Sequence, residues 1–200
     1  MSPELDLTRT AEMERKTGET DVEISIRLEG NGLSRVDSGL GFLDHMLATL
    51  AKHSGFDLGL RAKGDVVVDD HHTVEDCAIV LGRVLDEALG DRHGIARFGS
   101  AYAPLDESLT RAVVDLSGRP WSEVYIDFDR ERIGEVATEN LIHFFRSFAI
   151  EARLGLHIDL IRGDNDHHKA ESAFKALALA LRAAVSPQGD DVPSTKGSLR

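Results

Sequence analysis

Asp70 to Glu75 within "DDHHTVED" (Asp69–Asp76) is answered ninety-six residues later by Asp166 to Glu171 within "DHHKAES" (Asp166–Ser172). Each copy sets two adjacent histidines before a glutamate: His71, His72 and Glu75 in the first, His167, His168 and Glu171 in the second. A third histidine recurs upstream at a slightly different offset, His45 in "FLDHML" and His143 in "NLIHFF". Six of the nine histidines therefore lie in repeated motifs. Ring nitrogens need partners, so adjacent histidines are costly to keep for packing alone. On a helix, residues three or four apart share a face, so either histidine of a pair can chelate an ion together with its glutamate. Adjacent histidines project in different directions, which suits two ions better than one. Six imidazoles and two carboxylates give each of two octahedral ions three nitrogens and one oxygen, with positions left open. No thiolate belongs to the set, so Mn, Fe, Co or catalytic Zn is expected rather than a zinc finger. Grouping by repeat would put His45, His72 and Glu75 on one ion and His143, His168 and Glu171 on the other, with His71 and His167 exchanged between the two. Asp69, Asp70 and Asp166 are expected to start helices or to orient imidazole N–H groups. His53, His93 and His157 lie outside the repeats and read as surface or packing residues.

A scaffold must bring these distant stretches together. The 200 residues, 42% apolar and 29% charged, suffice for one domain or two small ones with a buried core. No apolar run approaches the roughly 18 residues of a spanning helix. The polar, acidic start "MSPELDLTRTAEMERKTGET" resembles neither a signal nor a transit peptide. The single cysteine, Cys77, precludes an internal disulfide and suits a cytoplasmic protein. A net charge of −12 argues against nucleic acid and anionic membranes as partners. It also requires any phosphate site to gather its own cations.

Hydrophobic periodicity repeats along with the motifs. "AEMERKT" and "DVEISIRL" alternate as strands, "GFLDHMLATLAKH" has helical spacing, "FDLGLRAKG" reads as a strand, and "HTVEDCAIVLGRVLDEAL" as a helix stopped by Gly90. The second half gives strands at "LTRAVVDLSG" and "WSEVYIDF". A helix at "ATENLIHFFRSFAIEARLG", a strand at "LHIDLIRG" and a helix at "HHKAESAFKALALALRAAV" follow. The expectation is an α+β fold, internally duplicated, with a mixed β-sheet backed by two α-helices in each half-domain. The halves divide near Gly94 to Ser100, as residues 1–96 and 97–200.

The motifs "GFLDHML", "DDHHTVED", "RFG", "DLSGRP", "HFFRSFA", "GDNDHHKAE", "FKALALALR" and "PSTKG", in this order, resemble the imidazoleglycerol-phosphate dehydratase family from about Arg9 to Gly197. Ser172 and the Ser38–Gly39 pair depart from the residues usual there. The resemblance implies a hydro-lyase of histidine biosynthesis that removes water from imidazole glycerol phosphate to give imidazole acetol phosphate. It implies two Mn2+ per active site, or other divalent ions, and a 24-subunit homo-oligomer with metal sites at subunit interfaces. It places Glu19 at the substrate as acid/base. It places Arg97, Arg119, Lys175, Ser194 and Lys196 at the phosphate.

The chemistry has a difficulty that two ions would meet. The C–H proton beside the leaving hydroxyl is not acidic, and neutral imidazole is a poor electron source. An imidazole bound to metal through both nitrogens becomes imidazolate and can expel the hydroxyl. Lys175 has a geometric argument of its own. It lies seven residues after His168 and four after Glu171, on one helix face and roughly 10 Å along the axis from His168. Its counterpart in the first repeat is Ile79, read as a core residue. A ferritin-like di-iron oxidoreductase is the rival enzyme class, but it needs four long helices with Glu-x-x-His, the reverse order. A metal-clipped storage shell is the non-enzymatic rival and would lack an anion site.

Overall fold

A computed structural model describes residues 8–195, 197 and 199. The first half runs β1 (Thr10–Lys16), β2 (Thr20–Arg27), β3 (Ser34–Asp37), α1 (Gly41–Ser54), β4 (Asp57–Gly64) and α2 (His71–Leu89). The second half runs β5 (Phe98–Leu105), β6 (Ser108–Asp115) and β7 (Trp121–Tyr125). It continues with a short hairpin, β8 (Arg132–Ile133) and β9 (Val136–Ala137), then α3 (Thr138–Glu151), β10 (Gly155–Arg162) and α4 (Asp166–Ala184). The two four-stranded sheets share one plan, β1-β2-β4-β3 and β5-β6-β10-β7. In each, the first three strands of that order pair antiparallel and the last pairs parallel. The duplicated α+β architecture expected from the sequence is the one observed.

Alternation explains the inner sheet faces. Val22, Ile24 and Ile26 on β2, and Thr110, Ala112 and Val114 on β6, point inward and are buried. The helices form a layer between the sheets: α1 and α2 lie on the first sheet, α3 and α4 on the second. Within that layer the pairing crosses between halves. Helix α1 packs on α4, and α2 packs on α3. Gly82 permits the second contact, because a Cβ there would meet the Phe148 carbonyl oxygen at 2.7 Å. Phe145 of α3 and Phe174 of α4 pack with ring centroids 4.6 Å apart and planes tilted by 45° in the shared core.

Four strands are absent from the sequence reading. Strand β3, "SRVD", is short and mostly exposed, so it shows no alternation. Edge strand β5, "FGSAYAPL", contains Pro104, tolerated because one edge lacks a partner strand, and Gly99, which lets the strand press against the Ala180 carbonyl of α4. The β8–β9 hairpin has no counterpart among the described residues of the first half.

Candidate metal centres

The crossed helix pairing decides which ligands meet. His45 on α1 joins His167 and Glu171 on α4, and His143 on α3 joins His71 and Glu75 on α2. In each trio the ligand atoms lie within 4.8 Å of one another. His45 Nε2 and His167 Nε2 both lie 3.2 Å from Glu171 Oε2. His143 Nε2 lies 2.8 Å from Glu75 Oε1, and the His71 and His143 rings stack with centroids 5.0 Å apart. Grouping by repeat is therefore not what the fold does. Each trio draws on both halves, because a helix of one half packs on a helix of the other. The first histidine of each pair, four residues before its glutamate, faces the trio. The second turns away, with ring planes at 78° for His71 and His72 and 88° for His167 and His168.

The rings are held from behind. Asn140 donates its amide N–H to Asp70 Oδ2 (2.9 Å), so its carbonyl oxygen accepts from His71 Nδ1–H (2.8 Å) and leaves His71 Nε2 for the centre. Buried Asp70 is fixed by the Ala137 N–H (2.8 Å) and Arg132 Nη2 (3.1 Å) of the extra hairpin. Asp70 thus orients a ring, and it does so through Asn140. Its repeat counterpart, buried Asp166, accepts instead from the N–H groups of Asp129 (3.1 Å) and Arg130 (2.7 Å) and pairs with Lys169 Nζ (3.0 Å). Burial works to raise the Asp166 pKa, but Lys169 and these N–H groups outweigh it and hold it low. Capping falls to Asp69, whose Oδ1 accepts from His71 N–H (2.8 Å), and to Asn165, which accepts from His167 N–H (2.9 Å).

Two carboxylates behind the outward-turned rings escaped the sequence reading. Asp65 lies 3.1 Å from His72 Nδ1, and Glu107 lies 2.8 Å from His168 Nδ1. The bond to Asp65 raises the His72 pKa against the effect of burial. The Asn165 N–H and His168 hold the Glu107 carboxyl far below the usual carboxylate range. The signal for Glu107 was available: "TGET" and "LDES" occupy the same turn in the two repeats. His53 is half-buried on α1 and belongs to neither trio, in keeping with a packing residue. It lies eight residues after His45 on α1, and burial and the Lys175 charge lower its pKa. His93 and His157 are exposed, as expected.

The substrate-binding candidates fall at three places. Lys175 Nζ is 2.7 Å from Glu171 Oε1, so that carboxylate meets an ammonium on one oxygen and two imidazoles on the other. Burial would raise the Glu171 pKa, but Lys175 and His45 more than offset it and lower it. Exposed Glu19 sits in the β1–β2 turn with Oε1 3.7 Å from His72 Nε2. Ile79 is half-buried rather than core. Arg97, at φ +69°, pairs with Asp115 (2.7 Å) and donates to the Pro193 carbonyl (2.8 Å), holding the segment that leads to Ser194. Arg119 borders an open cavity of about 560 Å³ with Trp121 and His157. Lys196 lies outside the described residues. Arg97 N–H bonds to Ala184 at the far end of α4 (2.9 Å), whereas Glu171 stands near its start. The intervening helix is roughly 20 Å long.

Fold and site together define a duplicated α+β protein whose crossed helices gather two matching His/Glu trios. The sequence matches the family described as imidazoleglycerol-phosphate dehydratase over residues 38–181. It is 57% identical to an imidazoleglycerol-phosphate dehydratase of Phytophthora nicotianae over 96% of this chain, which spans 42% of that longer protein. It is 54% identical to the enzyme of that name from Salinibacter ruber, over 96% of each chain. The crystal structure of the Staphylococcus aureus imidazoleglycerol-phosphate dehydratase superposes with a TM-score of 0.81 at 41% identity, over 90% of this chain and 99% of that one. The chain belongs to the imidazoleglycerol-phosphate dehydratase family, and so to the hydro-lyases of histidine biosynthesis.

Proposed function

We propose that the protein dehydrates imidazole glycerol phosphate to imidazole acetol phosphate with two divalent ions, Mn2+ foremost, one at each trio. The observation that carries this reading is the pair of three-donor clusters. The donors suit such ions: imidazole and carboxylate only, with a ring nitrogen turned inward by Asn140 and a glutamate oxygen shared by two imidazoles. His45, His167 and Glu171 would hold one ion and His71, Glu75 and His143 the other, and such ions would supply Lewis acidity. The chain's residues supply the rest. Glu19, exposed beside His72, exchanges protons at the carbon and at the leaving oxygen. Lys175, Arg97, Arg119, Ser194 and Lys196 take the phosphate, where arginine suits a bidentate contact.

One copy cannot complete this site. The outward-turned His72 and His168 serve neither trio of their own chain, and Arg97 is separated from Glu171 by most of α4. Neighbouring copies therefore share each site in a homo-oligomer, proposed as the 24-subunit shell in the cytoplasm. Among the described residues no helix is long and apolar enough to cross a membrane. The test is metal removal with a chelator, verified by elemental analysis, followed by turnover and sizing. Turnover is expected to vanish and return with Mn2+, and the assembly to change size. Full turnover after verified removal overturns the reading.

A further inference from the structure

The first hairpin of each half ends alike: Glu19 then Thr20 opening β2, and Glu107 then Ser108 opening β6, with Thr20 and Ser108 both buried. The two glutamates are counterparts, yet they are used differently. Glu107 Oε1 accepts the N–H groups of Asn165 (2.8 Å) and Asp164 (3.2 Å), which fixes Oε2 at 2.8 Å from His168 Nδ1. In the first half, Asp65 occupies that place behind the ring, 3.1 Å from His72 Nδ1. Asp65 directly follows β4, and the residue directly after β10 is Gly163, which has no side chain to offer. Glu19 lies on the other side of the His72 ring, 3.7 Å from Nε2 and beyond hydrogen-bond range. Its turn is also one residue longer, spanning 17–19 against 106–107.

An ionised carboxylate only accepts, so each ring carries its proton on Nδ1 and presents the Nε2 lone pair outward. We propose that Glu107 and Asp65 are positioning residues that commit His168 and His72 to metal binding through Nε2, and that Asp65, by replacing the repeated glutamate in this task, leaves Glu19 for the substrate. This rests on the metal-centre reading above.

Mn2+ dissociation constants of the full-length, metal-stripped protein, from competition with a fluorescent chelator, test it. Glu107→Gln retains an oxygen for the Asn165 N–H but turns an amide N–H towards Nδ1, forcing the ring proton to Nε2. Metal affinity should fall about 10- to 100-fold. In a His168→Ala background the same change should have no further effect. The Asp65→Asn and His72→Ala pair repeats the cycle at a loop without that backbone hold, and decides the matter if the Glu107 variant does not fold. Glu19→Gln should leave the constant unchanged. No fall, or an equal fall in both backgrounds, overturns the inference alone, as does a Glu19→Gln effect matching that of Glu107→Gln. If His168→Ala and His72→Ala themselves leave metal affinity intact, the metal-centre reading fails and takes the inference with it.

Discussion

The two trios take the same donors from the same helical positions, and differ one turn away. Glu171 has Lys175 against its second oxygen, whereas the residue in that place after Glu75 is half-buried Ile79. Next to Glu171, fully buried Ser172 bonds Thr110 (2.7 Å), whereas next to Glu75, Asp76 holds Arg15 and Thr20. Duplication has kept the donors and let their supports specialise. Among the described residues, the ammonium bonded to Glu171 has no equivalent at position 79, and this gives an anionic ligand a preferred direction across an otherwise matched pair, in a protein whose net charge is −12.

The sharpest attempt to break the match is to remove each glutamate in turn. Glu75→Ala and Glu171→Ala should each lower kcat about a thousandfold or more, since a metal centre supplies several kcal/mol of transition-state stabilisation. A large loss in only one variant would show the other trio to be structural. Lys175→Met probes the asymmetry itself. A lost charge-assisted contact of about 1.5–3 kcal/mol lowers kcat/KM roughly ten- to a hundredfold on the phosphorylated substrate, and far less on imidazole glycerol. Equal losses on both would mean that Lys175 serves Glu171 rather than the phosphate. Ile79→Lys, which gives Glu75 a cation of its own, should not rescue it.

The supporting residues should differ in stability. Asp76→Ala strands the Arg15 guanidinium and should cost about 2–3 kcal/mol, discounted because Arg15 keeps some contact with water. Ser172→Ala removes the Thr110 hydroxyl's partner and a bond to the Lys169 carbonyl, at about 1 kcal/mol, or about 2–4 °C in melting temperature. Calorimetry of both variants checks that order. The smallest effect is one of pH. Asp65 raises the His72 pKa, so its contribution is complete below the ordinary value of 6.5 and fades as pH rises through the raised value. In metal-free protein, Asp65→Asn should remove that part of the pH dependence of the melting temperature.

The repeat was legible because its donors are chemically rare residues at fixed spacing, and the long helices because their apolar periodicity is strong. The grouping of donors was not, because it depends on which helix packs on which. No spacing within "DHHKAES" says that α4 lies against α1. Asp65 and Glu107 were hidden for a related reason: they act on rings several to many residues distant, from turns whose composition suits any hairpin. Ile79 looked like core because its type is apolar, whereas its position at the centre leaves it half-exposed.

Crossed helix packing has a consequence for dilution. A half-domain alone carries at most two donors of either trio, so two separate halves would assemble a centre only as often as they met. Joined in one chain, they meet at an effective concentration on the order of millimolar, whatever the protein's own concentration. Formation of each three-donor cluster thereby becomes a property of a single molecule. The sharing of His72 and His168 between copies, as proposed above, would alone be left to depend on how many copies are present.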